Sequence, residues 1–377
     1  MKIGILGGGA MGLGIAQVAA SAGNQVVLVD ISLMVLEKAL LSIQTQLEKG
    51  VEKGKITADE KASILQRIST TTDMNHFIGC DLVIEAIVEK LEVKQKVFSE
   101  LDAMLPASTI LASNTSSLSI TAIAAACQKP ERVLGLHFFN PATLMPLVEI
   151  IPAIQTRTDL PLQMKEWMIN WKKVPVITQD TPGFIVNRIA RPYYSEALRI
   201  VDEGIATKEE IDFSMKQLGF KMGPFELMDM IGHDVNYAVT ESVFSAFYFD
   251  PRFKPSLTQK KLVEAGWLGK KTGRGFYTYP EGPAPASPSE AMQKSIQERI
   301  LAMLINEACD AHYLGLASEA DLDLAMTKGV NYPKGLIAWG NEWGFDQVNQ
   351  LLQRLYDTYQ EDRYRVSMGL TKRINHD

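Results

Sequence analysis

Short apolar runs alternate with longer amphipathic stretches through the first half of the chain, and then the short runs stop. Residues 2–6 (KIGIL) and Gln25 to Asp30 are apolar runs of strand length, and the stretch between them, Leu13 to Ala22, spaces its apolar residues as a helix does. The pattern continues with a buried strand over Asp81 to Ile87 (DLVIEAI), a helix over Val88 to Met104, and strands over Thr109 to Ala112, Arg132 to Leu136 and Val174 to Thr178. Residues 33–68 read as long helical material. Alternation of this kind predicts a parallel sheet with helices on its faces. After residue 178 no strand pattern returns and Ile185 to Glu203 reads as helix, so a domain boundary is expected there.

The helical remainder repeats itself. Pro280 to Pro288 (PEGPAPASP) has the composition of a linker. Beyond it, at an offset of 111, Arg299-Ile300, Glu307-Ala308, Gly315, Ala317, Asp323 and Met326 match Arg188-Ile189, Glu196-Ala197, Gly204, Ala206, Asp212 and Met215. A one-residue slip then aligns Gly335 with Gly223. The second copy has Glu298 opposite Asn187 and no equivalent of Asp180-Thr181-Pro182-Gly183-Phe184, so the fold unit is repeated while the polar feature is not. The expected organisation is an α/β domain over residues 1–178, a helical domain over 179–280, a linker over 281–290 and a second, degenerate helical copy over 291–377.

Composition narrows the classes of function. A chain of 377 residues exceeds the size at which one core keeps growing. Its net charge of −6 offers no bulk attraction to nucleic acid or to an anionic membrane, so an anionic ligand has to be held locally. Cys80, Cys127 and Cys309 lie far apart without metal-ligand spacing, which argues for a reducing compartment and against a metal site. No apolar run reaches about 18 residues and a strand pattern begins at residue 2, so a cytoplasmic protein is expected.

The first apolar run leads straight into Gly7-Gly8-Gly9-Ala10-Met11-Gly12 and then into a helix. In that context G-x-G-x-x-G is a dinucleotide fingerprint. Gly7 makes the tight turn, Gly9 lets the backbone approach a pyrophosphate, Gly12 lets helix and strand pack, and the helix start at Ala10 and Met11 faces the phosphates. Asp30 ends the second strand, where a carboxylate accepts both ribose hydroxyls. No arginine follows to offset its repulsion of a 2′-phosphate, so NAD is expected over NADP.

Ligands of an open parallel sheet lie at the carboxyl ends of its strands, which singles out Glu89, Lys94 and the cluster Ser113-Asn114-Thr115-Ser116-Ser117. A surface ion pair remains an equal alternative for Glu89 and Lys94. The stretch Gly135 to Glu149 (GLHFFNPATLMPLVE) adds His137 and Glu149, with Pro141 and Pro146 excluding a helix between them. The expected form is strand, bend, strand. A carboxylate on one ring nitrogen fixes the tautomer and readies the other nitrogen to take a proton, although a histidine buried for stability fits this segment equally well. Asn187 sits in the first turns of the helix after the boundary. Lys49, Lys53 and Lys55 form a basic cluster that is either a solvated face or a hold for a ligand phosphate.

Taken together, GGGAMGLGIAQVAA with Asp30, VIEAIVE, SNTSSLSI, GLHFFNP, LVEI, DTPGFIVNR, MGPFEL and GKKTGRGFYTY closely resemble the NAD-dependent L-3-hydroxyacyl-CoA dehydrogenase family, almost continuously to residue 280 and weakly from 291 to 365. The resemblance implies an α/β Rossmann-type NAD-binding domain followed by an all-α C-terminal domain, here duplicated in tandem. It implies NAD-dependent, reversible oxidation of a (3S)-3-hydroxyacyl-CoA, as in fatty-acid β-oxidation, butanoate metabolism or aromatic-acid degradation. By the same resemblance His137 is the general base, Glu149 its orienting carboxylate, and Ser116 and Asn187 substrate contacts. Ser116 also lies near the nicotinamide, Glu89, Lys94 and Lys271 contact the cofactor, and Lys53 meets the CoA nucleotide; Asn114 and Asn140 are read as cofactor contacts from their place beside the strand ends, Asn140 on the nicotinamide side. Pro146 departs from the family, where lysine is common. The partner implied is a small acyl-CoA, with no nucleic acid and no membrane. Because the helical domain of this family commonly forms a dimer interface, the second copy is expected in the partner's place, self-association being the alternative. The rival readings are a dehydrogenase of a free hydroxy acid, a non-catalytic NAD-binding scaffold, and a piece of a multifunctional enzyme, the last opposed by the lack of a hydratase-like region before Met1.

Overall fold

The apolar runs become strands of one eight-stranded sheet in the computed structural model of the chain, which describes residues 1–374. Contacts divide the chain into two units, Met1–Thr181 and Pro182–Asp377, three residues beyond the boundary expected from the loss of strand pattern. In chain order the first unit runs β1 (Lys2–Leu6), α1 (Ala10–Ser21), β2 (Gln25–Val29), α2 (Leu33–Glu52), α3 (Ala58–Gln66), β3 (Ile68–Thr71) and β4 (Leu82–Glu85). It continues with α4 (Leu91–Met104), β5 (Ile110–Ser113), α5 (Ile120–Ala124), β6 (Val133–Phe138), β7 (Leu147–Pro152), α6 (Leu160–Asn170) and β8 (Val174–Ile177).

The sheet order is β3-β2-β1-β4-β5-β6-β7-β8. Every neighbouring pair is parallel except β6 with β7. From β1 the chain winds outward through β2 and β3 and then returns to β1's other side with β4. Strand order therefore reverses between β1 and β4, where an open sheet leaves a crevice at its carboxyl ends. Ile3, Ile5, Leu28, Leu82, Ile84, Leu134 and Leu136 are fully buried, as strands covered on both faces require.

Two differences from the pattern reading have plain causes. Residues 33–68 are not one helical region. Gly54, at φ +64°, follows the end of α2, and Thr57 with Glu60 forms a capping box that starts α3. The polar run Ile68–Thr71 (ISTT) then pairs with β2 as an edge strand, a place where no apolar signal is needed.

The second unit is helical: α7 (Val186–Ile189), α8 (Arg191–Asp202), α9 (Lys208–Gln217), α10 (Pro224–Ile231), α11 (His233–Ala246), α12 (Leu257–Glu264), α13 (Glu290–Tyr313), α14 (Glu319–Gly329), α15 (Leu336–Trp343), α16 (Phe345–Tyr359) and α17 (Met368–Ile374). The single helix read over 185–203 breaks at Ala190 because Pro192, in the first turn of α8, lacks the N–H that would continue the ladder.

Residues 183–279 and 296–374 are built alike. Asp212 in α9 accepts the amides of Phe225 and Glu226 at 2.9 and 3.0 Å, and Asp323 in α14 accepts those of Ile337 and Ala338 at 2.8 and 3.0 Å. A Cβ on Gly223 or Gly335 would lie 2.3 or 2.1 Å from those aspartates, so both corners require glycine. The halves also meet reciprocally. Arg188 Nε donates to Glu307 and Arg299 Nε to Glu196, each at 2.6 Å. Arg252 adds a 3.3 Å ion pair to Glu307, and Arg363 a 3.2 Å pair to Glu196. All three residue pairs, 188 with 299, 196 with 307 and 252 with 363, obey the same offset of 111. Equivalent residues exchanging equivalent contacts is the geometry of an isologous interface, here within one chain.

Breaking such a buried pair from one side strands the opposite charge. Glu196→Leu is expected to lower unfolding stability by about 3–5 kcal/mol, read from urea midpoints, whereas Glu264→Gln at the exposed Lys260–Glu264 pair should change it by less than about 1 kcal/mol.

Candidate active site

The carboxyl ends of β1, β4, β5 and β6 gather the polar residues that the sequence singles out. After β1, Gly7 takes φ +109°, and a Cβ there would lie 2.4 Å from the carbonyl of Ala86. A Cβ on Gly12 would sit 1.8 Å from the Gly7 carbonyl, so any side chain at this position would push α1 off the turn. Gly9 is different, since a Cβ there would meet nothing within 4 Å. That open space leaves the backbone of Gly9 accessible to a ligand.

The helix start is correspondingly bare. Ser32 and Thr57 cap α2 and α3 with their side chains, but α1 has no side-chain cap and no acid in its first turn. Leu13 is the first amide to bond back, to Gly9 at 3.0 Å, leaving those of Ala10, Met11 and Gly12 for a ligand. Asp30 is fixed beside them, Oδ2 accepting the Gly8 amide at 2.7 Å and Oδ1 that of Ser32 at 2.9 Å. An uncapped helix N-terminus with a carboxylate at the end of β2 fits the pyrophosphate and ribose of NAD.

At the end of β4 stands a charge cluster of which the sequence showed only part. Lys94 is 1 % exposed and Glu85 0 %, and they pair at 2.6 Å, with Glu89 at 3.2 Å from the same lysine. The alternative of a surface ion pair is therefore set aside for Lys94. Glu85 was not foreseen, although a lone carboxylate inside DLVIEAI was its signal. It also accepts the Ile87 amide and the Ser113 hydroxyl, each at 2.7 Å. Glu89 accepts the Thr115 hydroxyl at 2.5 Å, the Ser116 amide at 2.9 Å and the Ser116 hydroxyl at 3.3 Å. Burial pushes its carboxyl up, but the Lys94 charge and these hydrogen bonds outweigh that and hold it below the ordinary value. An ionised Glu89 thus shapes the serine loop after β5. Asn114 accepts the Phe138 amide at 2.8 Å, which ties that loop to the end of β6.

His137 and Glu149 are direct register partners across the antiparallel β6–β7 pair, so their side chains share a face. Nδ1 of His137 lies 2.6 Å from Oε2 of Glu149, both residues are buried, and the Phe139 ring packs 4.4 Å from the imidazole. A proton on Nδ1 is then donated to the carboxylate, which fixes the tautomer and the orientation of the ring.

A second histidine–carboxylate pair, unforeseen, has a different character. His233 Nε2 lies 2.7 Å from Asp229 Oδ1, and its other ring nitrogen is 3.3 Å from Gln259. Asp229 also accepts the amides of Phe276 and Tyr277 and the Tyr279 hydroxyl. With both ring nitrogens engaged and no exposed surface, this pair pins the GFYTY segment.

The remaining candidates fall in three places. Lys53 ends α2 on the wall of a cavity of about 980 Å³ that also brings together Lys49, Lys55, Arg67 and Lys172, with Glu60 the one acid among its lining residues. Asn187 lies in α7 of the helical unit, and Lys271 of the same unit is held by Asp234 at 2.5 Å. Asn140, exposed, precedes a cis bond to Pro141 in the β6–β7 loop.

The model of the NAD-binding domain of 3-hydroxyacyl-CoA dehydrogenase matches residues 2–181, and that of the C-terminal domain matches residues 183–279 and 296–377. The chain belongs to the 3-hydroxyacyl-CoA dehydrogenase family. A relative from Escherichia coli K12 named 3-hydroxyadipyl-CoA dehydrogenase is 40 % identical, covering 98 % of this chain and 97 % of its own. A 3-hydroxybutyryl-CoA dehydrogenase of Bradyrhizobium diazoefficiens is 44 % identical over 74 % of this chain and 95 % of its own. A crystal structure titled 3-hydroxybutyryl-CoA dehydrogenase from E. coli K12 superposes with a TM-score of 0.94 at 39 % identity, covering 99 % of this chain and 98 % of that one.

Within this family member, the loop that leaves His137 is held from below. Buried Lys173, just before β8, donates its ammonium to the carbonyls of Ala142 and Met145, the latter at 2.9 Å. Burial pulls its pKa from 10.5 to about 8. Between those values the unfolded chain binds a proton that the folded chain lacks, so this lysine's contribution to stability rises with pH across the window. Lys173→Met has no such proton. Urea midpoints are therefore expected to show the gap between wild type and variant widening from about pH 7 to about pH 10.

Proposed function

We propose that the chain catalyses the reversible, NAD-dependent oxidation of a (3S)-3-hydroxyacyl-CoA to the 3-ketoacyl-CoA. The observation that carries this reading is the 2.6 Å pair of His137 and Glu149 at the strand ends that also carry the glycine turn and the serine loop. Bound NAD supplies the hydride acceptor for C3. The chain does the rest. His137 Nε2 removes the proton of the C3 hydroxyl, and Glu149 stabilises the resulting imidazolium. In the reverse direction the same nitrogen returns the proton. Donors from Ser116 and Asn187 stabilise the oxyanion character that develops on the reacting oxygen. Glu89 positions Ser116 by accepting its amide at 2.9 Å, and to donate to the reacting oxygen the serine hydroxyl turns away from its 3.3 Å contact with the same carboxylate.

The glycine turn with Ala10, Met11 and Asp30 holds the cofactor, with Glu89, Lys94, Asn114 and Asn140 assigned to its nicotinamide side and Lys271 as a further cofactor contact. Lys53 and the basic cavity take the phosphates of the CoA nucleotide, a locally positive site in a chain of net charge −6. The two helical copies represent a tandem duplication in which the second stands where a dimer partner would. We place the enzyme in the cytoplasm, in keeping with its three free cysteines; no helix among the described residues is long and apolar enough to cross a membrane.

His137→Gln should lower kcat/KM for acetoacetyl-CoA by about 10²–10⁴-fold while NADH binding, followed by fluorescence, stays near wild type; retention of most turnover would sink the assignment. Glu149→Gln should cost a similar factor. Lys53→Glu should raise KM for acetoacetyl-CoA and leave KM for acetoacetyl-pantetheine, which lacks the nucleotide, unchanged. Equal shifts for the two substrates would exclude the cavity as the nucleotide site.

A further inference from the structure

Six arginines among the described residues are buried, and five of them meet a carboxylate: Arg132 meets Asp102, Arg188 and Arg252 meet Glu307 and Asp310, Arg299 and Arg363 meet Glu196. Arg191 is the exception. It opens α8, is 4 % exposed, and has no ion pair with any carboxylate among the described residues. Its Nη1 donates to the Thr240 hydroxyl at 3.1 Å and to the Asn236 carbonyl at 3.4 Å, its Cζ lies 5.0 Å from the centre of the Tyr194 ring, and its Nε has no hydrogen-bond partner. Two buried hydroxyls accompany it without partners of their own. Ser195 lies four residues along the same helix face, and Tyr332 is, with Tyr194, one of the two groups whose charge interacts with Arg191.

An uncompensated buried guanidinium is expensive, and burial does lower its pKa. The fold does not require it. At the same offset that relates the two halves, Arg191 corresponds to Ala302, which is buried in α13 of a half built the same way. Asn187, the residue assigned to the substrate, lies one turn upstream. The intervening Ala190 keeps helical angles of −76° and −11°, so positions 187 and 191 share a side. In the second copy both are absent together, replaced by Glu298 and Ala302.

We propose that Arg191, with the hydroxyls of Tyr332 and Ser195, receives the terminal carboxylate of a short dicarboxylic acyl thioester, making the enzyme selective for 3-hydroxyacyl-CoA chains that end in an acid. A carboxylate set a few bonds beyond C3 is about one helical turn, roughly 5 Å, from it, which matches the separation of Asn187 and Arg191 along the chain. A planar guanidinium flanked by hydroxyl donors is suited to a carboxylate, whereas a neutral alkyl end would leave Arg191 Nε and the two hydroxyls unpaired and the charge without a counter-ion. This deepens the dehydrogenase reading and rests on it.

The test compares 3-ketoadipyl-CoA with 3-ketohexanoyl-CoA, chains of the same length that differ only in the terminal carboxylate, in NADH-linked reduction by the full-length enzyme. Wild type should prefer the acid. Arg191→Met should reduce that preference by about 10- to 100-fold, the range of a charge-assisted hydrogen bond, and Arg191→Lys should recover part of it. Tyr332→Phe, which keeps the ring, should lower the preference more modestly and guards against an Arg191 variant that fails to fold. A wild-type preference for the neutral chain, or equal losses on both substrates in folded Arg191→Met and Tyr332→Phe, would overturn the proposal. Failure of wild type on both chains and on acetoacetyl-CoA would instead remove the dehydrogenase reading, and this subsite with it.

Discussion

One reversal of strand direction governs the candidate site. If β7 ran parallel to β6, the connection would carry the chain back across the sheet, and residues twelve apart in sequence would not face each other. Because β7 returns antiparallel after a short bend, His137 near the end of β6 and Glu149 near the start of β7 become register partners on one face. A one-residue slip would move Glu149 to the opposite face and leave the imidazole without its carboxylate. The bend itself is held by Lys173, whose ammonium binds two of its carbonyls from the next strand's start. Backbone register, more than flexible side-chain reach, sets the 2.6 Å contact.

Around that pair, buried charge is used as framing. Lys94 is shared by Glu85 and Glu89, and each carboxylate then fixes a different part of the loop after β5: Glu85 the hydroxyl of Ser113, Glu89 the amide and hydroxyl of Ser116. Such a cluster is costly to desolvate, and its compensation lies in having nearly every oxygen occupied by a donor. Its effect is to orient a serine at the strand ends without placing a charged group in the serine's own position. Sequence reading put Glu89 and Lys94 at the right strand end. Their relation to Ser116 needed the fold, since twenty-two residues separate Lys94 from that serine.

Much of the architecture was legible for a physical reason. Strands buried on both faces must be continuously apolar, so β1, β2, β4, β5 and β6 announced themselves. β3 did not, because an edge strand of the type Ile68–Thr71 needs only one neighbour and little burial. The glycine turn was legible because Gly12 sits where any side chain would collide with the Gly7 carbonyl. Glu85 and His233 were hidden by the opposite circumstance: each is a polar residue whose role depends on partners distant in sequence, Ser113 for one and Gln259 for the other. The basic cavity lay between. Lys49, Lys53 and Lys55 were visible as a cluster, but Arg67 and Lys172 join them only through the packing of α2, α3 and the turn before β8.

The helical unit separates what a fold demands from what chemistry adds. Its halves share the aspartate that caps the following helix, the glycine that makes room for it, and the reciprocal arginine–carboxylate pairs, which are the features that build and join them. They differ at Asn187 and Arg191, which become Glu298 and Ala302. A residue kept in both copies is accounted for by packing and capping. A polar residue confined to one copy, buried there and lacking a counter-charge, has no such account. The position 111 residues beyond Arg191 holds Ala302, a buried residue with no charge to desolvate, and on the reading proposed for Arg191 it is a bound carboxylate that offsets the cost of burying the guanidinium.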